Sequence, residues 1–244
     1  MTNVIVKTDE AKCAGCNKCI FECPVNANVA KIVNDKNKIS VEPEKCIHCG
    51  RCIKICDHGA RDYTDDTEEF FLRLSQGEKI SVLVAPAIRS SFDDYKRLLG
   101  FLKQAGANLV FDVSFGADIC TWAYLKAVKE QNLKSIIAQP CPVIVDYIQK
   151  YRPELIPNLA PIQSPAMCSA IYLKDYMGID DRLAFISPCI GKKSEFEDPN
   201  TKDYISFNVT VGKLKDYIQS KGIRLSSCPS VEFDQCRANL GFTF

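Results

Sequence analysis

Cysteines recur at the same intervals in Cys13-Ala-Gly-Cys16-Asn-Lys-Cys19-Ile-Phe-Glu-Cys23-Pro24 and again in Cys46-Ile-His-Cys49-Gly-Arg-Cys52-Ile-Lys-Ile-Cys56-Asp57. Both stretches have the spacing C-x₂-C-x₂-C-x₃-C, with which bacterial proteins bind [4Fe–4S] clusters. Gaps of two residues let three thiolates from one tight loop reach three corners of a single four-iron cube. The repeat therefore predicts two clusters near the amino terminus.

An exchange of ligands between the two stretches is expected, because in two-cluster ferredoxins the fourth cysteine of each run binds the other cluster. The predicted ligands of the first cluster are Cys13, Cys16, Cys19 and Cys56. The predicted ligands of the second cluster are Cys46, Cys49, Cys52 and Cys23. One-electron transfer is the chemistry that such clusters provide.

Two other interpretations of the cysteines are a structural zinc site and simple burial. Zinc often uses C-x₂-C pairs, but it needs neither a third cysteine two residues later nor a fourth beyond it. Asp57 stands where a second proline is usual, and its charge would lower the potential of the nearby cluster. Four polar neighbours of the ligands are expected at the surface rather than on a metal: His48, His58, Arg51 and Lys18.

The composition also limits the function. The chain has 244 residues, 14 cysteines and a net charge of +1, which gives no support for nucleic-acid binding. No apolar stretch reaches signal-peptide or membrane-span length, so a cytoplasmic protein is expected. Clustered cysteines in a reducing compartment favour metal binding over disulfides, and a redox partner protein, a ferredoxin or similar donor, is expected.

Three regions follow from the change of pattern along the chain. Residues 1–66 are expected to form a two-cluster domain of α+β, ferredoxin-like class, 67–78 a connecting helix, and 79–244 an α/β domain. The helical pattern at this junction covers residues 62–77. In the last region apolar strands are predicted at 80–85, 109–113, 135–138 and 183–186, with helices at 91–104, 116–131, 142–151, 164–177 and 212–221. Such alternation predicts a mostly parallel sheet.

Cys141 and Cys189 each follow a predicted strand, where open parallel sheets bind their ligands. Pro142 begins a helix, so the thiol of Cys141 is expected at a helix amino terminus, which favours the metal-binding thiolate. The alternative is that both are small buried residues at strand ends.

At these residues the chain resembles the iron-only ([FeFe]) hydrogenases. Gln139-Pro140-Cys141-Pro142, with the residues up to 155, is similar to the first active-site motif of that family. Ser187-Pro188-Cys189-Ile190-Gly191-Lys192-Lys193 is similar to the second. Weaker similarities lie at 85–89 and 111–118, and 56–67 resembles the junction between ferredoxin domain and hydrogenase domain.

The resemblance implies a third [4Fe–4S] cube bridged to a two-iron centre that carries CO and cyanide. Cys141 and Cys189 would be two ligands of this cube, and Lys192 would place its ammonium, as a catalytic residue, beside a cyanide. Two departures stand against a complete site. The family's third motif, which supplies the other two cysteines, is not found, and the sequence stops shortly after 231–234. Pro140 occupies the position of the proton-relay cysteine.

Two hypotheses follow. In the first, the chain is an incomplete hydrogenase-like enzyme for interconversion of protons and H₂, whose third cluster and two-iron centre form only if the missing ligands are supplied. In the second, it is a non-catalytic electron carrier or a redox or H₂ sensor with a degenerate hydrogenase-like domain. Of the remaining cysteines, Cys120 and Cys168 are expected in the core, and Cys228 and Cys236 fit no known ligand spacing.

Overall fold

The computed structural model of this chain describes residues 5–131 and 136–234. Two units can be distinguished in it. Unit 1 comprises Met1–Thr64 together with Val143–Glu154, and unit 2 comprises Asp65–Pro142 together with Leu155–Phe244. A helical segment far along the chain therefore belongs with the amino-terminal part.

Unit 1 is built from short elements around the two cysteine stretches. In chain order they are β1 (Val6–Thr8), α1 (Lys18–Phe21), β2 (Asn28–Val33), β3 (Lys36–Val41), α2 (Arg51–Lys54) and β4 (Arg61–Tyr63). Strand β1 pairs antiparallel with β4, and β2 pairs antiparallel with β3. Asn34 and Asp35 both have positive φ, of 50° and 58°, which is the backbone of a tight two-residue hairpin turn.

Unit 2 alternates strands with helices. Its elements begin with α3 (Thr67–Ser75), β5 (Ile80–Val84), α4 (Ile88–Ser91), α5 (Tyr95–Gln104), β6 (Val110–Asp112) and α6 (Ser114–Gln131). Helix α7 (Pro142–Tyr151) starts in unit 2 and continues in unit 1. The elements after it are α8 (Pro165–Ile171), β7 (Arg182–Ser187), α9 (Lys192–Phe196), β8 (Phe207–Thr210) and α10 (Val211–Ser220).

The sheet of unit 2 has four parallel strands in the order β6-β5-β7-β8. Alternate residues of its strands face two separate apolar clusters. Val82 packs in a cluster with residues of α3, α5 and α10, whereas Leu83 packs in a cluster with residues of α6, α8 and α9. Helices thus cover both faces, which explains why all five residues of β5 are buried.

The predicted fold class is confirmed: an α+β segment precedes an α/β segment with a parallel sheet. Several boundaries differ. The helix expected at 62–77 begins only at Thr67, because Asp62 and Tyr63 pair with β1 as part of β4. Its amino terminus is fixed by the carboxylate of Asp65, which accepts from the amides of Thr67, at 3.0 Å, and Thr210, at 2.8 Å.

The strand expected at 135–138 is not part of the described sheet. Ser135 lies outside the described residues, and Ile137 makes a single parallel bridge with Leu159. Strand β8 was not predicted, because it has only four residues and a polar Asn208 within it. The helix expected at 164–177 changes after Ile171 into a wider π-helical turn, Tyr172–Tyr176. Among the helices that the structure describes, none has the length and apolar character needed to span a membrane.

Candidate metal centres

A first cavity in unit 1 is surrounded by cysteines from both stretches. About 310 Å³ of space, part of it open to solvent, lies between its lining residues. The thiols that line it are those of Cys13, Cys16, Cys19 and Cys56. The first three come from one loop, and the fourth comes from the end of the other stretch, so the structure brings together the four residues predicted for the first cluster.

A second cavity, also with about 310 Å³ of space that is partly open to solvent, repeats this arrangement. The thiols that line it are those of Cys23, Cys46, Cys49 and Cys52. These are the four residues predicted for the second cluster, again with one member from the other stretch. Within 5–131 and 136–234, no three His, Cys, Asp or Glu side chains are grouped as for a single metal ion, and the thiols of each cavity instead surround a larger space.

The two loops share an unusual backbone. Gly15 and His48, each just before the second cysteine of its run, have φ of 68° and 56°. Asn17 and Gly50, each just after that cysteine, have φ of 63° and 76° and precede α1 and α2. Positive φ at matched positions turns each loop so that its three thiols converge. It explains Gly or Asn, which tolerate this conformation, at three of the four positions.

Hydrogen-bond donors reach several of the sulfurs. The amide of Ala27 lies 3.2 Å from Cys23 Sγ, and the amide of His48 lies 3.4 Å from Cys46 Sγ. The guanidinium of Arg61, a buried residue, lies 3.5 Å from Cys52 Sγ. Donors of this kind stabilise thiolate sulfur, which is the form that binds iron.

Burial acts in the opposite direction on the free thiols. Removal from water raises the pKa of Cys19, Cys46 and Cys49 above that of an ordinary thiol. Because metal ligation requires deprotonated sulfur, iron binding at these cavities must release protons and becomes weaker at low pH.

Side chains of β3 hold the first loop in place. Asn37 Nδ2 donates to the carbonyl of Gly15 at 2.8 Å, and Lys38 Nζ donates to the carbonyl of Cys13 at 2.5 Å. A β-carbon on Gly15 would lie 2.3 Å from the carbonyl oxygen of Asn37, so this position also requires glycine for space.

Helix α7 holds the second loop within unit 1. Lys150 Nζ donates to the carbonyl of Cys46 at 2.8 Å, and Tyr151 donates to the carbonyl of Lys45 at 2.8 Å. His48 Nδ1 lies 3.5 Å from Asp146 Oδ2, and the His48 side chain is only 11% exposed. The expectation that His48 lies at the surface was therefore wrong, because α7 covers it.

The other polar neighbours of the ligands lie at the surface, as predicted. Lys18 forms an ion pair with Asp57 that joins the two cysteine stretches, and this hydrogen bond lowers the pKa of the Asp57 carboxyl. Arg51 forms an ion pair with Glu22 at 2.9 Å. The charge of Asp57 is thus compensated by Lys18, which reduces the effect on cluster potential expected from an unpaired acidic group.

Cys189 lies where the strand order of unit 2 reverses. The chain proceeds from β5 to β6 on one side and from β7 to β8 on the other, so a crevice opens at the carboxyl ends of β5 and β7. Cys189 comes two residues after β7, and Cys141 comes directly before α7. Burial raises the pKa of the Cys189 thiol, and the neighbouring Cys141 raises it further.

Lys192 is buried, as a residue facing a ligand in this crevice would be, but its charge is already compensated. Its Nζ donates to Ser164 Oγ at 2.9 Å and forms an ion pair with Glu195. Ser164 also caps α8 by accepting from the amide of Met167 at 3.3 Å. An anionic ligand would have to compete with Glu195 for this ammonium.

The remaining cysteines occupy different places. Cys120 is buried as expected, whereas Cys168 is only half-buried, and their sulfurs lie 3.4 Å apart. Cys228 is buried in the apolar cluster that contains β5 and α5 residues. Cys236 lies outside the described residues. Neither the proximity of Cys120 to Cys168 nor the position of Arg61 beside Cys52 has a signal in the sequence, because each pair is brought together only by tertiary packing.

The donor sets of the two units differ in the iron–sulfur groups that they fit. Each cavity of unit 1 offers four thiols around one space, and a four-iron cube needs four thiolate ligands. The crevice of unit 2 offers Cys141 and Cys189, which is half of the thiols that a third cube needs, and an ammonium already paired with Glu195. The described residues therefore fit two cubes and do not by themselves fit the two-iron centre with its cube.

Comparisons with protein families agree with this division of the chain. The family model described as the iron only hydrogenase large subunit, C-terminal domain, matches residues 78–241. The model described as a 4Fe-4S dicluster domain matches residues 5–57. Both parts of the sequence-based interpretation, an iron–sulfur electron-transfer domain and a hydrogenase-like domain, are thereby confirmed.

Hydrogenases and proteins named for iron–sulfur assembly are among the individual relatives. The periplasmic [Fe] hydrogenase large subunit of Nitratidesulfovibrio vulgaris is 28% identical over 94% of this chain, which spans 61% of that protein. The cytosolic Fe-S cluster assembly factor NAR1 of Kluyveromyces lactis is 26% identical over 66% of this chain and 38% of its own length. A solved [FeFe]-hydrogenase variant from Chlamydomonas reinhardtii superposes with a TM-score of 0.58 and 26% identity, over 69% of this chain and 50% of its own.

Proposed function

We propose a function for this chain on the basis of its family: the chain belongs to the iron-only hydrogenase large-subunit family. Within that family it acts as a cytoplasmic electron-transfer protein, in which two [4Fe–4S] clusters exchange single electrons with a redox partner protein. Hydrogen turnover by the second domain is not part of the function that its described residues support.

The observation that carries the proposal is the pairing of thiols across the two cysteine stretches. Each cavity takes three thiols from one loop and one from the other, which is the ligand exchange of two-cluster ferredoxins. The ligands proposed for the two clusters are those that line the cavities, Cys13, Cys16, Cys19 and Cys56, and Cys46, Cys49, Cys52 and Cys23. Such clusters, when bound, supply one-electron redox chemistry.

Helix α7 supports an internal role for the second cluster. The helix fixes the loop of Cys46 through Lys150 and Tyr151, and Cys141 is the residue directly before it. The backbone therefore passes from the hydrogenase-like segment into a helix that holds a cluster loop.

The first cluster is the one proposed to meet the partner. Cys16 of the first loop and Cys49 of the second loop are both exposed. What favours the first loop is Phe21, at the end of α1, which is 87% exposed. An exposed aromatic side chain beside a cluster loop is suited to a transient contact with another protein. The proposed partner is a ferredoxin or a similar small electron donor or acceptor.

Catalysis of proton reduction is the second candidate, and it rests on Cys141, Cys189 and Lys192. Two observations weigh against it for this chain. Lys192 is ion-paired with Glu195, and Pro140 has no group that can carry a proton at the position that resembles the family's relay cysteine. The relatives named for iron–sulfur assembly support a non-catalytic role for a hydrogenase-like domain.

The test is the number of irons and acid-labile sulfides per chain after anaerobic reconstitution, measured for the natural chain and for Cys141→Ser with Cys189→Ser. We expect about eight irons in both proteins, because two cubes use only the ligands of unit 1. About twelve irons that fall to eight in the double variant would establish a third cube and overturn the non-catalytic proposal. Fewer than four irons together with bound zinc would overturn the assignment of iron–sulfur clusters.

Electron exchange is measured on the same preparations. Dithionite-reduced protein should show the paramagnetic signal of reduced [4Fe–4S] clusters and should be reoxidised by an oxidised ferredoxin. The double variant should do so at an unchanged rate, since neither substituted thiol lies in unit 1. Hydrogen evolution above the background of reductant alone would contradict the proposal.

A further inference from the structure

Two cysteines that the proposed function does not use are in contact within unit 2. Cys120 lies on α6 and Cys168 on α8, and Sγ of one is 3.4 Å from Sγ of the other. Both sulfurs also lie near the carbonyl oxygen of Gln163, at 3.2 Å for Cys120 and 3.5 Å for Cys168. Neither residue corresponds to a ligand in the resemblance described above.

The contact follows from an unusually close approach of the two helices. Gly116 lies one turn before Cys120 on α6. A β-carbon at Gly116 would lie 2.1 Å from Ser169 Oγ and 2.2 Å from the carbonyl oxygen of Pro165, both on α8. Helices packed this closely allow the Cα separation of about 4.4–6.8 Å that a disulfide needs, and bond formation requires the sulfurs to approach only to about 2.0 Å.

The two thiols differ in their access to solvent. Cys120 is 3% exposed, whereas Cys168 is half-buried and lines an open groove of about 1100 Å³. The groove is lined mainly by apolar and aromatic side chains, among them Trp122, Tyr172 and Tyr176. A small molecule can therefore reach Cys168 but not Cys120.

The hydrogen bond between the sulfurs assigns different chemistry to each. Cys120 donates to Cys168, and this bond lowers the pKa of the Cys168 thiol while it raises the pKa of Cys120. A thiol with a lowered pKa is the better nucleophile near neutral pH, and a buried neighbour that keeps its proton is suited to act second. Solvent access and hydrogen bonding thus both indicate Cys168 as the thiol that reacts first.

We propose that Cys120 and Cys168 form a redox-active dithiol that exchanges with disulfides of low molecular mass. The Cys168 thiolate attacks one sulfur of the disulfide, which releases the first small thiolate and leaves a mixed disulfide on Cys168. Cys120 then attacks Cys168 Sγ, loses its proton to solvent, and releases the second small thiolate. The protein has lost two electrons and two protons, and the small disulfide has been reduced to two thiols.

The experiment uses the full chain with its clusters loaded, under anaerobic conditions. The protein is equilibrated in buffers with different ratios of reduced to oxidised glutathione, alkylated, digested and analysed by mass spectrometry. Iron is measured at every ratio, so that thiols released by cluster loss are recognised. We expect a Cys120–Cys168 cross-linked peptide whose amount rises with the proportion of oxidised glutathione, at constant iron content.

Variants separate the two steps. Cys120→Ser should accumulate glutathione on Cys168, because the resolving thiol is absent. Cys168→Ser should leave Cys120 unmodified, because the buried thiol is out of reach, and Cys228→Ser should behave like the natural chain. Full alkylation of Cys168 without any cross-link at all ratios would overturn the proposal, as would a mixed disulfide on Cys168 that persists in the natural chain.

Discussion

Arg61 Nη2 lies 3.5 Å from Cys52 Sγ in the second cavity, while the same side chain lines the first cavity. The residue is 4% exposed, and its other partners are the neutral side chains of Thr8 and Asn28. One buried cation is thus shared between two groups of thiols. A cluster gains negative charge when it is reduced, so this cation stabilises the reduced state.

Removing the charge of Arg61 should therefore lower the reduction potential of the cluster proposed at Cys52. A unit charge about 6 Å away, at an effective dielectric of about 20, contributes about 2–3 kcal/mol, or on the order of 100 mV for one electron. Potentials of Arg61→Gln and Arg61→Lys are measured by redox titration with paramagnetic resonance. The reduction potential should fall by an amount of this order in Arg61→Gln and by much less in Arg61→Lys, which keeps the charge.

Arg51→Gln is the matched control for Arg61, because Arg51 precedes Cys52 but is exposed and paired with Glu22. Its potential should change little, since solvent screens a surface charge. Equal shifts in Arg51→Gln and Arg61→Gln would show that burial beside the thiol is not what tunes the cluster.

Serine variants of the fourth cysteines should affect the cluster of the opposite stretch. Cys56 lines the cavity of Cys13, and Cys23 lines the cavity of Cys46. Substitution of Cys56 should therefore weaken or alter the first cluster, and substitution of Cys23 the second. Loss of about four irons, or a changed signal from one cluster in each variant, is the expected result.

Double variants test which cysteines bind the same cluster. Cys56→Ser combined with Cys16→Ser should cost no more irons than either change alone, because both residues belong to one cavity. Cys56→Ser combined with Cys49→Ser should cost both clusters. The reverse pattern would mean that each stretch binds its own cluster.

Replacement of Gly15 by alanine should destabilise the first cysteine loop, because of both its backbone conformation and the lack of space for a β-carbon. Its φ is 68°, and an added β-carbon would lie 2.3 Å from the carbonyl oxygen of Asn37. The positive φ costs an L-residue about 1–2 kcal/mol, and the overlap adds about 1–3 kcal/mol. Gly15→Ala should reduce the iron retained after reconstitution and accelerate cluster loss under a chelator.

Gly59 provides the control for this prediction. Its φ of 58° is similarly left-handed, but no atom lies within 4 Å of an added β-carbon. Gly59→Ala should thus show the conformational cost alone, with slower cluster loss than Gly15→Ala. If the two variants lose iron equally fast, contact with Asn37 does not determine the stability of the loop.

Cysteine spacing and strand–helix alternation were sufficient to predict the two clusters and the parallel sheet. Both are local patterns: the spacing of Cys13 to Cys23 limits how one loop can fold, and the apolar run of β5 can only be buried. What could not be predicted depends on distant parts of the chain. The burial of His48 requires α7 from a position about a hundred residues later, and β8 is a strand because β7 offers it a partner.

Dependence on distant parts of the chain also explains why the hydrogenase-like crevice was predicted only in part. The position of Cys189 after β7 followed from the strand pattern, and its place at the reversal of strand order is visible only in the assembled sheet. The ion pair of Lys192 with Glu195 lies within one helix, three residues apart, yet nothing in the sequence indicates that both side chains turn inward.

Asp181 is expected to stabilise unit 2 by joining three strands where they begin. Its side chain is 1% exposed and accepts a hydrogen bond from the hydroxyl of Ser81 in β5. It also accepts from Nδ2 of Asn108, which precedes β6, at 2.7 Å, and it forms an ion pair with Lys79 Nζ at 3.1 Å. Asp181→Ala leaves the buried hydroxyl of Ser81 without its acceptor, at about 1–3 kcal/mol. Hydrogen exchange of peptides that span β5 and β7 should become about tenfold to a hundredfold faster, while Asp180→Ala, an exposed neighbour, should change it little.

The contribution of Asp181 should also depend on pH. Burial opposes its charge, but the hydrogen bonds from Ser81 and Asn108 and the interaction with Lys79 outweigh this and lower its pKa. A lowered pKa in the folded state means that the stabilisation is fully present above the unfolded value of about 3.9 and is lost as the pH falls through the folded value. At equal pH, peptides that span β5 and β7 should exchange hydrogen faster in Asp181→Ala than in the natural chain. This difference in stability should therefore become smaller below about pH 4. A difference that stays constant down to pH 3 would show that hydrogen bonding without charge is what Asp181 supplies.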